Sequence, residues 1–347
     1  MAISKKAHEI LNREDLIAKR DEWVRRLQNV FSGTADPWND RFTYGVNGIL
    51  AIGQHDPYTD VELWVEDCLE DLAQRYEEIE NEVYFRPLCV EYGPYGVHYT
   101  DKMLGGNVYF HAGQWHCDYL PTPVGSLPSV DPDENPVWQM TQRAMNAFME
   151  ADVKLPFFGL PTYASALNIG VNLYGQDILM DMLMEPENAQ ADLTTINDLL
   201  CDLHRRSRAI IPAKQLQPVI SWNRTQPPDY GQLCGCTTQL ISGESYAEMV
   251  APLDDKLLGV YPNGGMIHIC GSHTQHIGAF RDMKNLKALQ VNDRAAADLE
   301  RYFRELREDQ VIYLNPCKEM SVEEVMEITG GKRLVIAGDL SQPVLRK

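Results

Sequence analysis

Apolar positions in the first part of the chain fall at helical spacing. Residues 5 to 31 predict a charged amphipathic helix. The stretch "YTDVELWVEDCLEDLAQRYEEI" predicts another, with Asp60 at the N-cap and Glu62 to Glu66 in the early turns, where acidic groups favour the helix dipole. Between residues 83 and 128 the pattern changes. Aromatic residues and glycines accumulate, apolar residues recur at period two, and the pair Gly105-Gly106 marks a turn, which predicts one buried strand followed by a hairpin-like excursion.

From residue 137 helices alternate with short apolar runs. "PVWQMTQRAMNAFME" is helical and "KLPFFGLP" strand-like, residues 177 to 211 form two helices separated at Pro186, and "QPVISW" is again a strand. "SGESYAEMVAPLDDKLLGVY" then predicts a helix, "GMIHICG" and "LKALQVND" strands, "RAAADLERYFRELRED" a helix, "VIYLNP" a strand, "SVEEVMEITGG" a helix and "KRLVIAGD" a last strand. Strands apolar on both faces, joined through helices, require parallel crossovers, so the chain belongs to the α/β class. No repeat, low-complexity tract or Pro/Ser-rich linker divides it, and one domain is expected over 1–347, with an N-terminal helical part over 1–80 and the aromatic-rich insert over 83–128.

Charge narrows the partners. Lys and Arg number 31 against 50 Asp and Glu, a formal charge of −19, which repels phosphate backbones and anionic lipid. Nucleic acid is not an expected partner. No apolar run reaches the roughly 18 residues of a membrane span, and the N-terminus lacks an apolar signal core, so no membrane association and a cytoplasmic location are expected. The eight cysteines are too few and scattered for a secreted disulfide framework and are expected as thiols.

In parallel α/β proteins the chemistry collects at the C-terminal ends of strands. His268 and Cys270 end one strand, Gln290, Asn292 and Asp293 the next, Asn315 and Cys317 follow the third, and Asp339 the last. Side chains two apart on a strand point the same way, so His268 and Cys270 could reach one zinc ion, which takes imidazole and thiolate and in catalytic sites uses three protein ligands. The third ligand comes from Cys317, Asp339 or the pair Cys234/Cys236 in "LCGCTT"; the alternative is that His268 is a hydrogen-bonded core residue and Cys270 a small buried one. His273 and His276 read as solvated or capping groups. His111, His116 and Cys117 could form a second metal site, although packing of the hairpin is the simpler use, and Asp254-Asp255 and "EIENE" read as solvated helix faces. No Gly-rich dinucleotide fingerprint follows the early strands, and no Gly-x-Ser-x-Gly elbow is present.

Several segments in order resemble the uroporphyrinogen decarboxylase superfamily: "LPFFGLPTYASALNIG", "DMLMEPENAQADL", the helix leading into "GGMIHICG", and finally "VIYLNP" and "LVIAGDLSQP". The likeness covers roughly Leu155 to Pro343 and implies a single (β/α)8 TIM barrel with its site at the C-terminal mouth. True decarboxylases carry Arg-x-x-Gly-Arg near the N-terminus and a tyrosine beside Ala-Ser. This chain has no such arginine motif and Ala166 at the tyrosine position, with Arg86 and Glu91 as poor substitutes. It is closer to the zinc-dependent methyltransferases of the superfamily, which work with corrinoid proteins and hold zinc through His-x-Cys and a later Cys. His268 and Cys270 match, whereas the last-strand cysteine is replaced at Gly338-Asp339, leaving Asp339 or Cys317 as third ligand. The resemblance therefore implies a methyltransferase with a zinc cofactor, a corrinoid on a partner protein and a small thiol or methylated substrate, and a homodimer would fit. The alternatives are a decarboxylase, or a non-catalytic barrel that binds a corrinoid or tetrapyrrole.

Overall fold

The structure is a computed structural model that describes residues 3–35, 43–45, 49–79, 85–218, 224–317 and 320–338. Twelve strands are described: β1 (Thr43–Gly45), β2 (Ile49–Leu50), β3 (Leu88–Glu91), β4 (Asn107–His111), β5 (Gln114–Asp118), β6 (Phe157–Gly159), β7 (Leu216–Gln217), β8 (Gly231–Cys234), β9 (Gly265–Ile269), β10 (Leu286–Val291), β11 (Val311–Leu314) and β12 (Leu334–Gly338). They form a six-stranded sheet in the order β1-β12-β11-β10-β9-β8, a four-stranded sheet β2-β3-β6-β7, and the hairpin β4-β5. Every pairing in the two larger sheets is parallel. A parallel bridge pairs Ala164, in the segment after β6, with Cys234 on β8. The chain is thus α/β with parallel strands, and its strand pairing is that of two sheets.

The periodicity explains most elements. β8, β9 and β11 are buried at every residue, as strands covered on both faces must be. Pro186 opens helix α8 at its first position, where the missing N–H costs nothing. The helices up to that point are α1 (Lys5–Leu11), α2 (Glu14–Phe31), α3 (Val61–Gln74), α4 (Tyr99–Met103), α5 (Pro136–Glu150), α6 (Ala166–Tyr174), α7 (Gln176–Met184) and α8 (Pro186–Ile210). The hairpin predicted after the buried strand β3 is present, and Tyr95 and Trp115 pack edge to face with centroids 5.3 Å apart where it folds back onto the preceding loop.

Four expectations are corrected. The helix over 5 to 31 is two helices, because the Asn12 side-chain amide donates to His8 O and to Asp152 O at 3.1 and 3.0 Å, a tertiary contact that turns the chain out of the first helix. The helix expected over 294–309 is two short helices, Arg294–Ala297 and Leu299–Glu305, parted at Asp298, whose carboxylate accepts from Ser272 Oγ at 2.8 Å. The strand β8 was not anticipated, since its four residues lie between turn-forming glycines and are too few to show a period. The pair Asp254-Asp255 is not a solvated face: Asp254 is fully buried and accepts from Tyr246 Oη at 3.0 Å. The strand expected at "QPVISW" is described only over Leu216–Gln217, and its remainder lies outside the described residues.

Burial pushes the Asp254 carboxyl up to about 7. Its folded value lies above its unfolded one, so its contribution to stability is complete below the ordinary carboxylate range and is lost as pH rises toward 7. At about 1.4 kcal/mol per unit the loss is on the order of a few kcal/mol. Asp254→Asn, which stays neutral and keeps an acceptor for Tyr246, is expected to flatten this decline. Urea midpoints of both proteins between pH 4 and 8 check it; parallel curves would contradict the assignment.

Candidate metal centre

The centre is built by strand register. Cys234 on β8 pairs with His268 on β9, and His268 pairs with Gln290 on β10. Pairing runs one residue past β8, where Gly235 N donates to His268 O at 2.8 Å. The chain then turns through a 3₁₀ segment, Cys236–Leu240, and this brings the Cys236 sulfur back to β9. One ligand atom each from Cys236, His268 and Cys270 lies within 4.8 Å of the others. His268 is only 5% exposed, and the two cysteines are half-buried.

The turn carrying Cys236 is held from three sides. Thr238 Oγ donates to Gly235 O at 2.7 Å, and Thr237 N donates to Asn168 Oδ1 on α6 at 3.1 Å. The His276 Nε2–H donates to Thr238 O at 2.8 Å, while the His273 ring lies between Gly271 O at 2.6 Å and Gly235 O at 3.2 Å. Both histidines are fully buried, contrary to the expectation of solvated or capping groups. They fasten the loop after β9 to the turn after β8, and so fix Cys236 relative to Cys270.

Hydrogen bonding selects the form of His268. Gln290 Nε2 donates to Asn315 Oδ1 at 3.0 Å, which aims its carbonyl oxygen at His268 Nδ1, 2.9 Å away. Nδ1 therefore carries the proton and Nε2 the lone pair, the arrangement in which ligating histidines are held by a carbonyl behind them. Burial, and then the Arg224 guanidinium, keep the His268 pKa below the ordinary imidazole value, so the ring is neutral. Arg224 Nη1 also approaches Cys234 Sγ at 3.3 Å.

The two thiols divide one proton. The Cys270 thiol is driven down by the S–H of Cys236 and then by His268, whereas the Cys236 thiol is driven up by its bond to Cys270 and by burial. The two sulfurs thus have opposed proton affinities and stand beside an imidazole whose pKa is lowered. Two soft sulfurs and an imidazole nitrogen are the donor set of a catalytic zinc site with a position left for substrate.

Of the residues singled out in the sequence, His268 and Cys270 come together and Cys236, one of the third-ligand candidates, joins them. Cys317 does not belong to this group; it is half-buried and packs against the core. Asp339 lies outside the described residues. In the hairpin Cys117 is brought to His98 and Asp101, not to His111 and His116. Gln290, fully buried, acts on His268 from behind rather than as a strand-end ligand.

No protein-family model matches the chain, and no curated protein matches its sequence. Among solved structures, a methyltransferase from Methanosarcina mazei has a similar fold, with a TM-score of 0.64 over 91% of this chain and 92% of that chain at 11% sequence identity. Among the described residues no helix is long and apolar enough to cross a membrane.

In metal-free protein Cys270 is expected to be the cysteine alkylated fastest near pH 6, since the thiolate is the nucleophile. Cys236→Ala removes the S–H that stabilises this thiolate and should slow Cys270 alkylation by up to about tenfold at that pH. Peptide mapping after a timed iodoacetamide pulse reads both effects, and equal labelling of all half-buried cysteines would contradict the geometry.

Proposed function

We propose that this chain is an enzyme of zinc-assisted methyl transfer, moving a methyl group between a corrinoid held by a partner protein and a small thiol or methylated substrate. The observation that carries the reading is the Cys236, His268 and Cys270 cluster, three soft donors within 4.8 Å at the C-terminal ends of adjacent parallel strands. The similar fold of a methyltransferase supports it. In this reading strands of the two parallel sheets belong to one TIM-type barrel, and the centre lies at the mouth where such folds place their chemistry.

The residues fit the ion. Cys236 and Cys270 as thiolates and His268 through Nε2 would hold it, and the two negative sulfurs would balance its charge. When bound, zinc lowers the pKa of an acceptor thiol or stabilises the oxygen left when a methyl is taken. Gln290 keeps His268 in the ligating tautomer, and His273 and His276 keep the two sulfurs at fixed separation. The aromatic hairpin, through Trp115 packed with Tyr95 and Tyr58, forms a wall of the substrate pocket in this reading. The corrinoid is assigned to a partner because no histidine of this chain is identified as a cobalt ligand.

Cys236→Ala and Cys270→Ala are each expected to carry one zinc equivalent fewer per chain than wild type by elemental analysis, and to lose methyl transfer from a methylated corrinoid protein to a thiol. Gln290→Leu, which removes the carbonyl behind His268, should bind zinc about 10- to 100-fold more weakly. Zinc content unchanged by both cysteine substitutions, together with no turnover on thiol, methoxyaromatic and methylamine substrates, would sink the proposal.

A further inference from the structure

A second group of ligand-type side chains stands apart from the first. His98, at the end of the turn Gly96–His98, Asp101 on α4 and Cys117 on β5 each offer a ligand atom within 4.8 Å of the other two. We propose that these three residues form a second divalent-metal site, suited to zinc, which fastens the aromatic hairpin β4-β5 to the body of the fold.

The donors are an imidazole nitrogen, a carboxylate oxygen and a sulfur, a mixture that zinc accepts and that calcium and magnesium, which prefer oxygen, do not. Asp101 is fully buried. Its Oδ2 accepts from His98 Nδ1 at 2.5 Å and from Asn172 Nδ2 at 2.8 Å, while its Oδ1 is buried with no hydrogen-bond partner. A buried carboxylate oxygen without a donor is costly, and a cation is the group that would satisfy it. Cys117 points its sulfur into the same place, donating only a long bond to Asp118 O at 3.4 Å. Gly106 permits this approach: a Cβ there would lie 2.7 Å from Cys117 Sγ and 2.8 Å from Asp101 O.

The site also touches the first one mechanically. Asn172, which orients Asp101, lies four residues after Asn168, which holds Thr237 beside Cys236. Residues four apart share one face of α6, about 6 Å along its axis. An ion at His98, Asp101 and Cys117 would therefore tie the hairpin to the same helix face that steadies the Cys236 turn.

The test uses the full chain with Cys236→Ala and Cys270→Ala, purified without chelator and supplied with zinc. One zinc per chain is expected to remain, and Cys117→Ala or His98→Ala added to that background should remove it, with folding verified by circular dichroism. Cobalt substituted for zinc should show a thiolate-to-cobalt charge-transfer band that Cys117→Ser abolishes. A double variant without bound zinc, or one whose zinc and cobalt band survive loss of Cys117, overturns the proposal. The two readings fail separately: zinc lost entirely with Cys236 and Cys270 removes only the second site, whereas equal zinc in wild type and double variant removes only the first.

Discussion

The structure depends on the in-register parallel pairing of β8, β9 and β10. Because Cys234, His268 and Gln290 are paired neighbours across three strands, one line of hydrogen bonds puts a sulfur-bearing turn on one side of the imidazole and its carbonyl partner on the other. A slip of one residue would turn His268 to the opposite face and separate it from both. Burial at every position of β8 and β9 opposes such a slip, since any displacement would also expose apolar side chains or bury polar ones. The packing of the core and the geometry of the centre are therefore the same constraint.

Within that frame the loops contribute rigidity. A thiol pair with opposed proton affinities needs its sulfurs held close, and neither cysteine lies inside a strand. Cys236 is in a 3₁₀ turn and Cys270 follows the end of β9. The buried His276 substitutes for the missing ladder by donating to Thr238 O in the turn after β8, and the buried His273 ring packs between Gly271 O and Gly235 O. Buried imidazoles are expensive groups to use this way, and what they gain is a fixed separation between the turn after β8 and the loop after β9.

Much of the fold was legible. Apolar runs of four to six residues alternating with helical periods led to the parallel α/β class, and Pro186 marked the boundary between α7 and α8. What escaped was set by contacts at long separation. Asn12 breaks a helix because Asp152 accepts from it, and Asp254 is buried because Tyr246 reaches it, and neither partner is visible locally. At the centre, parity along β9 was enough to pair His268 with Cys270. Cys236 stood among the candidates, but β8 was too short to be read as a strand, so nothing placed its end beside His268. The same applies to Cys117, whose partners His98 and Asp101 lie before the hairpin and not across it.

The position of the third ligand-type residue bears on what the centre could do. The family resemblance implies Asp339 or Cys317 as third ligand, whereas Cys236 follows the strand that pairs directly with that of His268. The donor set is nonetheless two sulfurs and one imidazole. If zinc is held there as proposed, Cys236 and Cys270 as thiolates would balance its charge, and a bound acceptor thiolate would remain electron-rich. An aspartate in place of the second sulfur would supply the same charge through a harder, less polarisable atom. In the proposed reading the chain would reach the softer donor set through a neighbouring strand, and Arg224 lies beside Cys234 on that strand.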